Sequence, residues 1–165
     1  MAPKTLDTLF HDTLRDVYYA ERKALQGLRK MARGVHAAEL RDAFETHRDE
    51  TEGQIQRLQQ VFEMIGRRAQ GKTCAAMDGI TEEAEEILEE YADSPALDAG
   101  LLAAAQAVEH YEITRYGTLA AWALTRLSAI AVSLASVAFS SSRFCWRTLA
   151  QSLRPSCLAQ AIRVP

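Results

Sequence analysis

The chain is short of the residues that build special architectures. Three cysteines among 165 residues, at positions 74, 145 and 157, form no CxxC pair. That excludes a zinc ribbon, argues against a disulfide framework and leads to the expectation of a reducing compartment. Eight glycines and four prolines exclude a collagen-like chain, and 48% hydrophobic residues exclude a wholly disordered one. The opening MAPKTLDTLFHD has no apolar segment and carries Asp7 and Asp12, so it does not read as a secretory signal. No GxSxG and no Cys/His pair at catalytic spacing is present, which leaves nucleophilic hydrolysis without support. A net charge of -3 gives no drive toward nucleic acid or a membrane surface.

Acidic residues are absent from the last third. All 22 Asp and Glu lie between Asp7 and Glu112, and the 53 residues from Ile113 to Pro165 hold none. Up to Glu112 the acids face 13 Lys and Arg; beyond it stand six Arg alone. Lysine ends at Lys72, while serine rises from one residue before position 125 (Ser94) to eight after it. The change falls inside a helix-like pattern and not at a Pro/Gly linker. A helical domain over 1–124 and an atypical Ser/Arg-rich tail over 125–165 are therefore expected.

What is present is helical periodicity. Residues 5–33 carry apolar positions at 6, 9/10, 14, 17, 25, 28 and 31, with Thr5 or Asp7 placed to cap the start and Gly34 to stop it. A second helix is predicted over 37–66, with Leu40, Phe44, Ile55, Leu58, Phe62 and Ile65 on one face. Residues 66–79 read as loop, and 80–91 as a short acidic helix with Thr81 at its N-cap and a solvated face. Ser94-Pro95 opens a third long helix over 96–124. This order predicts an all-α, ferritin-like four-helix bundle with a long crossover between the second and third long helices. The fourth helix would come from 125–160 and would be atypical, because LSAIAVSLASVAF is apolar nearly all round.

Polar residues interrupt these stripes at one height. Glu21 falls on the first; His47 and Gln54 fall on the second, with Glu50 three residues from His47; Glu109 and Glu112 fall on the third. Residues three apart share a helix face, so each pair can converge. Glu21 precedes the first turn by 12 or so residues and Glu50 follows it by a similar number, so at 1.5 Å per residue both lie roughly 18–20 Å from that turn. Glu109 reaches the same level if the crossover returns the chain to the same end. A buried, unpaired carboxylate costs several kcal/mol and clustered ones repel, whereas a divalent metal answers both objections. Oxygen and imidazole donors suit iron or manganese. The candidate ligands are Glu21, His47, Glu50, Glu109 and Glu112.

KTLDTLFHDTLRDVYYAERKAL, ELRDAFETHRDETEGQIQRLQQVFEMIG, GKTCAAMDGI and AAAQAVEHYEITRYGTLAAWA, in that order over about residues 3–124, resemble the YciE/YciF-like stress proteins. The resemblance implies a dimeric, ferritin-like bacterial bundle in the cytoplasm, linked to general or osmotic stress, and supports the same five ligand positions. Two departures stand out. Iron-binding ferritin relatives carry ExxH on the second helix, where this chain has His47-x-x-Glu50. The family also continues with an acidic fourth helix, where this chain has an acid-free tail of the kind that out-of-frame reading of a GC-rich gene produces, with the break near 124–127. Resequencing there decides that point.

Two functional classes follow: a stress protein with a carboxylate/His di-metal centre of iron or manganese, degraded by the altered end to weak or single-metal occupancy, or a non-catalytic dimeric scaffold without metal. A membrane role for Leu119–Phe139 is disfavoured by Arg126 near its middle.

Overall fold

Thr5, extended at φ -99° and ψ 170°, accepts a 3.3 Å hydrogen bond from the Thr8 amide and so caps the first helix, as its position in the sequence suggests. The computed structural model describes residues 4–124 and residue 134. Among them are four helices and no strand: α1 (Leu6–Gly34), α2 (Ala38–Met64), α3 (Ala75–Glu90) and α4 (Leu97–Leu124).

The α1–α2 turn is held from outside. Ala37 at the start of α2 offers no side-chain cap. The Asp98 carboxylate, in the first turn of α4, instead accepts from the His36 and Ala37 amides, both at 2.8 Å. Arg41 donates to the Ala32 and Val35 carbonyls at 3.2 and 2.9 Å, satisfying acceptors that the end of α1 leaves open. Gly34 does not end α1 through a left-handed turn; the chain leaves through extended Val35 at φ -63° and ψ 141°. An added Cβ at Gly34 would stand 2.6 Å from Leu88 Cδ2 on α3, a terminal methyl that would have to move aside.

The end of α2 does use a left-handed glycine. Gly66 has φ 65°, its amide donates to Glu63 O at 2.9 Å, and the Arg67 amide donates to Phe62 O at 2.9 Å. That pair of bonds is a Schellman closure. Residues 66–73, GRRAQGKT, have the G-x4-G-K-T spacing of a phosphate loop, but they join two helices where such a loop follows a strand. Lys72 Nζ is 3.5 Å from Asp16.

The crossover helix begins earlier than 80. Met77 is fully buried in a cluster with Ala20, Ala24 and Val108, so the AAMD segment gains more by packing on α1 and α4 than Gly79 costs the helix. Thr81 is consequently interior, and its hydroxyl donates to Met77 O at 2.9 Å where an N-cap role was expected. Pro95 lies in the turn before α4, and Ser94 Oγ accepts from the Ala96 amide at 3.1 Å.

α1 packs against α2, α3 and α4, and α3 also packs against α4. Two apolar halves result. One gathers Phe10, Leu14, Leu58, Phe62, Tyr116 and Leu119; the other gathers Leu28, Met31, Phe44, Leu97 and Leu101. The tail assigned to 125–165, with its expected fourth helix and the reading-frame break at its start, lies outside the described residues apart from Leu134, which is buried in the first half. Among the described residues no helix is long and apolar enough to cross a membrane.

Candidate metal centre

Between the apolar halves lies a polar layer. α1 contributes Glu21, in stripe with Val17 and Leu28; α2 contributes His47, Thr51 and Gln54, between Phe44 and Leu58; α4 contributes Glu109 and Glu112, between Ala105 and Tyr116. None of these six polar side chains is more than 1% exposed. Helical periodicity compels the burial: positions three or four apart on an inward stripe stay inward whatever their polarity.

His47 Nε2 lies 2.7 Å from Glu109 Oε1 and 4.0 Å from Glu112 Oε2. One donor atom from each of these three side chains falls within 4.8 Å of the other two. The 2.7 Å contact has the distance of an ion pair but not the alignment of a hydrogen bond. Glu109 Oε2, Glu21 Oε2 and the buried Oε2 of half-exposed Glu50 accept no hydrogen bond among the described residues. Glu21 Oε1 accepts from the Tyr116 hydroxyl at 2.6 Å.

Burial, helped by the charge of Glu50, pushes the Glu109 carboxyl up to about 9. Burial and the charge of Glu112 push Glu21 well above the usual carboxylate range, against the opposing Tyr116 hydrogen bond. His47 is lowered, because burial outweighs the pull of Glu112 and Glu50. Near neutral pH the layer therefore holds a neutral imidazole and a protonated Glu109. Such a site can exchange protons for a cation, since ligation needs the deprotonated carboxylate and the free imidazole lone pair. Buried oxygens without donors and an O/N donor set fit a divalent ion of the iron or manganese type.

Of the five positions singled out from sequence, the structure brings His47, Glu109 and Glu112 into one cluster. Glu21 is in the same layer, tied to Tyr116, and Glu50 flanks it from α2. Periodicity did not single out Arg57, whose Nε is buried without a hydrogen bond among the described residues and whose charge acts on Glu21 and Tyr116. Its signal was available: Arg57 is seven residues beyond Glu50, on the same helix face. A surface cavity of about 520 Å³ lies elsewhere, at the α1 start, lined by Phe10, His11, Ile65, Arg67 and Trp122 among others.

Comparison with known proteins adds the family. The family described as a domain of unknown function, DUF892, matches residues 5–134. Protein YciF of Escherichia coli strain K12 is 44% identical over 121 residues, covering 73% of each chain. The crystal structure of the E. coli stress protein YciF superposes with a TM-score of 0.87 at 34% identity, over 98% of this chain and 100% of that one. YcfI of Rhodopseudomonas palustris, described as a candidate structural protein, superposes with a TM-score of 0.85 at 39% identity, over 88% of this chain and 94% of that one.

Proposed function

The chain belongs to the YciF-like DUF892 family, and we propose that it is a ferritin-like stress-response protein whose buried layer binds one iron or manganese ion through His47, Glu109 and Glu112. Glu21 and Glu50 stand beside that cluster as further oxygen donors. The observation that carries the reading is the meeting of three donor atoms from two helices inside a layer closed to solvent. The stress assignment rests on the likeness to the E. coli stress protein YciF. In this reading the protein acts in the cytoplasm as a homodimer, with neither nucleic acid nor membrane as partner.

Each residue has a definite task. His47 enters as the neutral imidazole that burial enforces. Glu109 gives up the proton that burial otherwise holds on it. The apolar halves around Phe44 and Phe62 keep bulk water from the layer, which strengthens every charge interaction inside it. A bound iron or manganese ion would supply one-electron chemistry toward Fe(II) or peroxide, with the protein holding it in place.

A scaffold without metal is the second reading, favoured by the description of YcfI as a candidate structural protein. Metal analysis separates the two. After anaerobic incubation with Mn(II) or Fe(II) and desalting, the full chain is expected to retain about one ion, and His47→Ala to retain none. Wild-type protein that keeps no ion, with unchanged folding, would establish the scaffold instead.

A further inference from the structure

Tyr116 is fully buried on α4, one turn beyond Glu112 on the same stripe. Its hydroxyl crosses to α1 and donates to Glu21 Oε1 at 2.6 Å, a short O–H···O hydrogen bond. Glu21 Oε2 has no hydrogen-bond partner among the described residues. We infer that Tyr116 is the positioning residue for Glu21, its hydroxyl fixing one carboxylate oxygen so that the other, Oε2, is offered to a cation beside His47, Glu109 and Glu112. This inference rests on the metal reading above.

A buried phenol that only packs has no need of its oxygen. Tyr18 shows the contrast: its hydroxyl accepts from Gln59 at 3.2 Å at the half-buried edge and, among the described residues, makes no hydrogen bond to the acidic layer. The Tyr116 hydroxyl, by contrast, is fully buried and donates to Glu21, so without Glu21 it would be a buried donor in need of another acceptor. A free glutamate also samples several rotamers, and ligation must pay for selecting one; a fixed carboxylate has already lost that freedom. Arg57 acts on the same pair, its charge opposing the upward shift that burial imposes on both Glu21 and Tyr116. Removing an outer hydrogen bond of this kind typically weakens metal binding about 10–100-fold.

The test is a four-variant cycle read by Mn(II) titration, following the signal of free Mn(II) by electron paramagnetic resonance. Tyr116→Phe is expected to weaken Mn(II) binding about 10–100-fold, while Tyr18→Phe binds as wild type. On a Glu21→Ala background, Tyr116→Phe should change affinity by less than about twofold, because the hydroxyl acts through Glu21. Circular dichroism of each metal-free variant checks that the helices remain. Equal affinity for wild type and Tyr116→Phe overturns the inference, as does an equal loss with and without Glu21. Wild-type protein that binds no Mn(II) overturns the metal reading itself, and the inference with it.

Discussion

Glu109→Gln should make the metal-free protein more stable while lowering its affinity for Mn(II) by at least about 100-fold. The two effects have opposite signs because they have one cause. Glu109 is completely buried against Glu50 and His47, and folding moves its carboxyl from an ordinary value near 4.5 up to about 9. At pH 7 folding must therefore take up a proton there, at a cost of about 1–3 kcal/mol. Glutamine keeps the shape, carries no charge and removes that cost. For a domain of this size the gain appears as a rise of roughly 3–10 °C in melting temperature. Glutamine cannot supply an anionic ligand, so the ion loses one of three close donors. Thermal melts with and without Mn(II) measure both quantities, and a variant that is less stable yet binds metal normally would contradict the site.

The metal-free protein should also lose stability steadily as pH rises from about 5 to about 9. The folded value of Glu109 lies above its unfolded value, and Glu21 is raised as well. Stability from such groups is complete below the unfolded value, near 4.5, and is lost as pH climbs through the folded one. His47 works the other way: its folded value is lowered, so its neutral form penalises stability only below its ordinary range. Glu109 dominates above pH 6, at about 1.4 kcal/mol per unit while the folded form keeps its proton and the unfolded form has lost it, and Glu21 adds a slope of the same sign. Saturating Mn(II) should flatten or reverse the slope, because a ligated carboxylate no longer holds a proton and affinity rises with pH. Melting temperatures across that pH range, with and without metal, check both slopes; a flat metal-free profile would show the layer to be hydrated.

Helix spans and the polar layer were readable from the sequence because both depend on periodicity. Leu14, Val17, Glu21 and Leu28 share one stripe, and an inward stripe carries its polar member inward with the rest. The height match of Glu21, Glu50 and Glu109 followed from counting residues from the first turn for the first two and along the third long helix for Glu109, with the crossover returning the chain to the same end. The start of α3 was not readable, because burial of Met77 between α1 and α4 outweighs the local preferences around Gly79 and Thr81. The Asp98 brace across the α1–α2 turn joins residues more than 60 apart and leaves no periodic trace. Nor could spacing separate three clustered donors from two flanking ones, since the Tyr116 hydrogen bond that holds one oxygen of Glu21 depends on the crossing of α4 over α1. The acid-free tail was conspicuous in composition.

Diffraction from crystals of the full chain soaked in Mn(II), recorded where manganese scatters anomalously, tests the central claim most directly. A single anomalous peak per chain is expected within bonding distance of His47 Nε2, Glu109 and Glu112. No peak in that layer at full Mn(II) saturation, or peaks only among the surface carboxylates of α3, would contradict it.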